Sequence, residues 1–257
     1  MKNMNRVYSE ALLRLRHEGT KVGNTIEVLN STLTLEDATK LEITCPDRKF
    51  NLKYAIAEFL FYAGMDPAVG NMDKFAKIWG DIKDENGEVN SNYGCYIFNE
   101  NWGITASELK ANPDSRRAVI PILAEKHIQS PNPRDYPCTG YIQFILRNGY
   151  LDLIWNMRSQ DVIFGLANDY FAAALILQMM RNQLGVRLGT VTFNVGSLHI
   201  YERHYHLLNS VPHHGKSMHL EVHPEYLPPD YLWGIDSSFS VEEINEWVDD
   251  FYDKVLL

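Results

Sequence analysis

The sequence predicts an α/β (α+β) fold in a single domain spanning residues 1–257, and three observations carry that reading. Thr25 to Leu35, TIEVLNSTLTL, alternates like a strand. Asn148-Gly149 separates two further strand-like runs, Thr139–Leu146 and Tyr150–Arg158, and this dipeptide is the strongest short-range hairpin signal. Two helical stretches, Leu52–Ala63 and Tyr170–Leu184, are apolar around most of their circumference and therefore need cover on several sides. A chain of 257 residues is long enough to bury an ample core as one unit. It shows no internal repeat, low-complexity tract or dividing linker.

In chain order, Val7 to His17 has helical spacing, with Val7, Tyr8, Ala11, Leu12 and Leu15 on one side and Gly19 as an expected left-handed cap. After the Thr25–Leu35 strand comes the apolar helix Leu52–Ala63, with Glu58 in its middle. That carboxylate either faces a wet edge or is buried for a functional reason, because a charge in an apolar wall persists only when paired or used. Gly64 to Asn90 reads as loops and short elements, and Asn90-Ser91-Asn92-Tyr93-Gly94 continues them. Thr105 with Glu108 suggests a capping box for a short helix that stops before Pro113. A strand over Ala118–Leu123 and a proline-rich loop lead to Cys138. In the strand after the hairpin, Leu151, Leu153, Trp155 and Met157 share one face, which puts Arg158 on the more polar side. Asn168 or Asp169 is placed to cap the next helix, closed by Gly185. Val191–Val195 alternates as a strand. Ser240 with Glu243 opens an acidic amphipathic helix that turns Ile244, Trp247, Val248 and Phe251 inward.

Composition narrows the function classes. Hydrophobic residues at 45% and charged residues at 22% are ordinary for a soluble globular protein. A formal net charge of −9 argues against a protein that coats nucleic acid directly, although a few arginines still make a local pocket for a small anion. Cys45, Cys95 and Cys138 are odd in number and far apart, with no CxxC, so reduced thiols in a cytoplasmic setting fit better than a disulfide framework. The N-terminus lacks the apolar run of a signal peptide, and no segment reaches the ~18 consecutive apolar residues of a membrane span.

Single residues leave the chemistry open. Arg116-Arg117 after a turn, with Arg158 on a strand face, could cradle a phosphate or be surface and structural arginines. Cys138 could be a nucleophile beside a cation or a small buried hydrophobe. An N-cap would by itself explain Asp169. His199, His204 and His206 have H-x-H spacing without a clear third ligand, so no metal site is expected.

Their order along the chain is more specific. HEGT at 17–20, Ala57-Glu58-Phe59-Leu60, Ile78-Trp79, Asn90-Ser91-Asn92-Tyr93-Gly94 and Asn112-Pro113-Asp114-Ser115-Arg116-Arg117 are followed by Pro137-Cys138 and Gln143-Phe144. Met157-Arg158-Ser159-x-Asp161, Gly165, Asn168-Asp169-Tyr170 and Gly196-x-x-His199-x-Tyr201 complete the series. This colinear set, reaching to about Tyr205, resembles the thymidylate synthase superfamily, and within it the phage deoxycytidylate hydroxymethylases.

The resemblance implies a large mixed or antiparallel sheet with helices packed on one side and a homodimer formed through the other. It implies that Cys138 attacks C6 of a pyrimidine nucleotide and that Arg158 and Ser159 hold the 5′-phosphate. Arg116 and Arg117 would join them from the second subunit. Glu58 would organise water and proton transfers, Tyr93 would assist proton removal at C5, and His199 and Tyr201 would bind the sugar 3′-hydroxyl. Trp79, Asp161 and Gly165 would contact 5,10-methylenetetrahydrofolate, the co-substrate. Arginines beside Cys138 would favour its thiolate.

Asp169 stands where thymidylate synthases carry Asn. An amide accepts from uracil N3–H and donates to O4, whereas a carboxylic acid donates to cytosine N3 and accepts from its amino group. dCMP is therefore the expected substrate and 5-hydroxymethyl-dCMP the expected product, with methylation, action on CMP or catalytic silence as the alternatives. Two departures from thymidylate synthases stand out. Thr139 replaces a His after the nucleophile, as in the hydroxymethylases, and KVGNT lacks the loop arginine, with Lys21 the nearest cation. The likeness to phage enzymes suggests a virus modifying its own DNA precursors.

Overall fold

In the computed structural model, which describes residues 1–45, 47–129, 134–210, 218–225 and 234–256, one sheet organises the chain. Its strands are β1 (Thr20–Val22), β2 (Thr25–Leu35), β3 (Val119–Pro121), β4 (Thr139–Arg147), β5 (Tyr150–Asp161) and β6 (Arg187–Tyr201). They lie in the spatial order β1-β2-β6-β5-β4-β3. Only β5 and β6 are parallel, and the other pairs are antiparallel, so the sheet is mixed. The helices are α1 (Met4–Glu18), α2 (Leu52–Gly64), α3 (Lys77–Ile82), α4 (Gly94–Ile97), α5 (Glu100–Ala111), α6 (Glu125–Ile128), α7 (Leu166–Leu184) and α8 (Val241–Val255).

Alternation along β5 explains the layering. Leu151, Leu153, Trp155 and Met157 are buried on the helix side, as expected, and α7 packs there. The opposite face is polar. Thr32 Oγ1 donates to Asn194 Oδ1 and Asn194 Nδ2 to Asn156 Oδ1, both at 3.2 Å, and the Thr34 and Thr192 hydroxyls meet at 3.1 Å. This side is open, with a cavity lined by Asn30, Thr32, Gly140, Asn156, Arg158 and Asn194. The β4–β5 hairpin turns at Asn148 (φ 53) and Gly149 (φ 75), the positive pair that a two-residue turn of this kind needs.

The buried helices follow the sequence reading closely. All of Ala55 to Ala63 is buried, and α7 buries fourteen residues. Gly185 closes α7 in the left-handed region, with φ 66. The α8 box forms as expected: Ser240 Oγ accepts from Glu243 N, and Glu243 Oε2 accepts from Ser240 N. Ile244, Val248 and Phe251 point inward, Trp247 is half-buried, and Phe251 packs on Phe59 of α2 at 5.6 Å.

Four local expectations need correction. Gly19 is extended (φ −68, ψ 140) rather than left-handed; a Cβ there would lie 2.2 Å from Leu15 O and 2.3 Å from Ile26, so close packing requires the glycine. Thr105 is interior to α5, whose N-cap is Asn99, and Glu108 instead accepts from Ser115 and Arg117. The third strand is only Val119–Pro121, because it lies at the sheet edge where Pro121 can sit without an N–H. Neither Asn168 nor Asp169 caps α7: the helix starts at Leu166 after Gly165, and both residues lie in its first turn.

Among the described residues, no helix is long and apolar enough to cross a membrane. The core also contains one fully buried amide that ties remote loops to α7. Gln178 Nε2 donates to Ala38 O (2.8 Å) and Leu220 O (3.3 Å), while its Oε1 accepts from Val222 N (2.6 Å). Gln178→Leu leaves these backbone groups unmatched and is expected to lower unfolding stability by about 3 kcal/mol, read from urea titrations. An unchanged midpoint would contradict this role.

Candidate active site

The parallel pairing of β5 with β6 makes both strands end on the same side of the molecule, where α7 begins. Ser159 pairs with Ser197 and Asp161 with His199, so Arg158, Ser159, His199 and Tyr201 converge there. β4 runs the other way and starts at this end. Its lead-in residue, Cys138, is held by Arg158 N donating to Cys138 O at 2.8 Å.

The thiol sits against the arginine. Arg158 Nη2 lies 3.6 Å from Cys138 Sγ and donates to Tyr136 O at 2.7 Å, while Nε donates to Pro137 O at 3.1 Å. Burial raises the Cys138 pKa, and Arg158 opposes that shift without cancelling it. The thiolate-favouring influence expected of the arginine is therefore present but outweighed. Tyr93 stacks on Tyr62 at 5.6 Å and lies beside Cys138 and Thr139. Its phenol is pushed far up by burial.

Two carboxyl groups complete the centre. Glu58 is buried, which excludes the wet-edge alternative. Its Oε1 accepts from Tyr54 OH at 3.1 Å, and Tyr54 OH accepts from Trp79 Nε1 at 3.1 Å. Burial, with the nearby Asp169 charge, pushes Glu58 up to about 8. Asp169 is half-buried in the first turn of α7, and burial raises it to about 6 while Gln160 Nε2, donating to Oδ2 at 2.9 Å, pulls the other way. Each carboxyl is pushed towards its protonated form, as the low dielectric of the site dictates.

The remaining expected residues are placed unevenly. Ser159 Oγ and His199 Nδ1 are 3.4 Å apart, and His199 meets Tyr201 edge-on at 5.2 Å. Trp79 is buried, with its N–H already on Tyr54. Asp161 Oδ1 accepts from Ile163 N at 2.8 Å and ends β5. Arg117 pairs with Glu108 and Arg116 is exposed; among the described residues no hydrogen bond joins either to Arg158. Within one chain these two arginines therefore stand apart from the centre.

Three site residues escaped the sequence reading. Tyr54 was legible in principle, because it lies four residues before Glu58 on one helix face. Asp135 is a buried carboxylate that accepts from Asn90 N, Ser91 N and Ser91 Oγ, tying the Tyr93 loop to the Cys138 segment. Nothing in its sequence context marks it. Gln160 gave no signal either, because an amide at the end of a strand is unremarkable until its partner is known.

The thymidylate synthase family model matches residues 1–221. The chain belongs to the thymidylate synthase family. The deoxycytidylate 5-hydroxymethyltransferases of Enterobacteria phages T4 and T2 are each 34% identical over 148 residues, covering 52% of this chain and 60% of theirs. The aligned part thus spans about 60% of the length of these relatives. The thermostable thymidylate synthase A of Bacillus subtilis matches the fold with a TM-score of 0.73, covering 94% of each chain at 19% identity.

The raised Glu58 pKa predicts a pH-dependent stability term. Its folded value of about 8 lies above the reference 4.5, so the folded state binds the extra proton between them. That contribution is complete below the lower value and is lost as pH rises through the upper one. Glu58→Gln removes the titration and is expected to gain up to about 4 kcal/mol over wild type between pH 4 and pH 8. Urea midpoints across that range test it; a difference independent of pH would refute the buried acid.

Proposed function

We propose that the protein transfers a one-carbon unit from 5,10-methylenetetrahydrofolate to C5 of dCMP, with addition of water, giving 5-hydroxymethyl-dCMP. The observation that carries this reading is Asp169, a carboxyl raised to about 6 in the first turn of α7 and coupled to Glu58. A protonated or proton-sharing Asp169 donates to cytosine N3 and accepts from the 4-amino group, the pattern opposite to that of uracil. The phage relatives, whose name is deoxycytidylate 5-hydroxymethyltransferase, support the same substrate.

Cys138 Sγ adds to C6 of the ring, and the displaced electron pair makes C5 nucleophilic. Arg158 at 3.6 Å stabilises the thiolate as it forms and, with Ser159, holds the 5′-phosphate. Arg116 and Arg117 reach the same phosphate from the second subunit of a homodimer joined through the open sheet face. His199 and Tyr201 take the sugar 3′-hydroxyl. Tyr93, beside Cys138, assists removal of the C5 proton. Tyr54 and Glu58 position the water that adds to the exocyclic carbon.

The folate supplies the one-carbon unit: C5 bonds to its methylene carbon, loss of the C5 proton expels tetrahydrofolate, and water addition to the exocyclic methylene expels the Cys138 thiolate from C6 and restores the ring. Among the described residues no hydrogen bond uses Asp161 Oδ2, which leaves an acceptor for a pterin N–H. Trp79 and Gly165 would line the same region. The chemistry draws on nucleotide pools of the cytoplasm and asks for no metal.

The first experiment follows tritium release from C5-labelled dCMP, dUMP and CMP with methylenetetrahydrofolate, and identifies the product by mass spectrometry. Release from dCMP and a product one oxygen heavier than the methyl compound are expected. No release, or a methyl product, would overturn the reading. Cys138→Ser is expected to abolish turnover while retaining nucleotide binding. Asp169→Asn is expected to move the dCMP-to-dUMP preference about ten- to a hundredfold towards dUMP; an unmoved preference would remove Asp169 from base recognition.

A further inference from the structure

Asp169 by itself is ambivalent. A neutral carboxyl has one O–H and one carbonyl oxygen, and moving the proton to the other oxygen inverts the pair it presents. One arrangement matches cytosine and the other matches uracil. Selectivity needs a neighbour that decides which oxygen holds the proton.

Gln160 is the residue placed to do this. It is 2% exposed, and its Nε2 lies between two acceptors, Asp169 Oδ2 at 2.9 Å and Asp161 O at 3.4 Å. With oxygens on both sides, the nitrogen of the amide must occupy that position. An oxygen that accepts this N–H is the poorer place for a proton, so the proton resides on Oδ1. We propose that Gln160 is a specificity-determining positioning residue: it holds the Asp169 proton on Oδ1, facing N3, and leaves Oδ2 as the acceptor for the 4-amino group. The inverted pair that uracil requires is thereby excluded. This inference rests on the cytosine reading above.

Two further observations point to the same pair. A Cβ at Gly165 would lie 2.5 Å from Gln160 Nε2, 3.0 Å from Asp169 Oδ2 and 3.2 Å from Asp161 O. Gly165 has φ −83, which any residue adopts, so the contact rather than the backbone calls for glycine. In addition, Gln160 Oε1 is buried with no hydrogen-bond partner among the described residues. That orphan is destabilising, and an apolar side chain would avoid it. The amide's close contact is with Asp169, and that contact accounts for its presence.

The test compares kcat/KM for dCMP and dUMP, at saturating methylenetetrahydrofolate, in wild type, Gln160→Leu and Gly165→Ala. Gln160→Leu frees the proton to move, and the dCMP-to-dUMP ratio is expected to fall about tenfold. Gly165→Ala displaces the pair with Gln160 still present and is expected to shift the ratio in the same direction; it decides the matter if the first variant does not fold. A purely structural role lowers both substrates alike and leaves the ratio unmoved, which overturns the inference. A wild type that itself prefers dUMP overturns the cytosine reading, and this inference with it. A wild type that prefers dCMP beside variants of unaltered ratio overturns this inference alone.

Discussion

The site depends on one piece of topology, the parallel crossover from β5 through α7 to β6. Parallel strands cannot be joined by a tight turn, so a helix must carry the chain back along the sheet. Both strands then finish at the same end, and α7 begins there. Arg158 and Ser159, His199 and Tyr201, and Asp169 come together from positions far apart in sequence. The antiparallel β4 starts at that end and delivers Cys138. A register slip of one residue in β5 would turn Arg158 towards the helices and dismantle the arrangement.

Burial then sets the protonation chemistry. Glu58, Asp169 and Cys138 are all pushed towards their protonated forms by desolvation, and the neighbours that oppose it, Tyr54, Gln160 and Arg158, only moderate the shift. The result is a site whose acidic groups keep their protons to higher pH than they would in water. That suits the proposed reaction, in which carboxyl groups donate as well as accept, and it makes the placement of each proton a matter of hydrogen-bond geometry. The Trp79–Tyr54–Glu58 and Gln160–Asp169 bonds supply that geometry on stiff elements.

Much of this was legible in the chain. The strand Thr25–Leu35, the Asn148-Gly149 turn, the apolar helix over Leu52–Ala63 and the Ser240–Glu243 box are local features, decided by side-chain alternation, turn stereochemistry and capping, and each appears where those rules place it. Local rules failed where tertiary contacts overrode them. Gly19 answers to packing against Leu15 and Ile26 rather than to a helix cap, and Asp169 is released from capping because the helix starts earlier, at Leu166.

By itself, the sequence determined the element types, the buried faces and the order of the reactive residues, because these follow from periodicity and residue chemistry along the chain. Only the tertiary structure decided which of them meet. It placed Glu58 in a dry wall beside Asp169, laid Arg158 on Cys138 and kept Arg116 and Arg117 apart from that centre. It also brought forward Tyr54, Asp135 and Gln160, whose significance lies entirely in their partners. The physical reason is that desolvation and hydrogen-bond direction are properties of a three-dimensional surrounding, and no stretch of sequence contains its own neighbours.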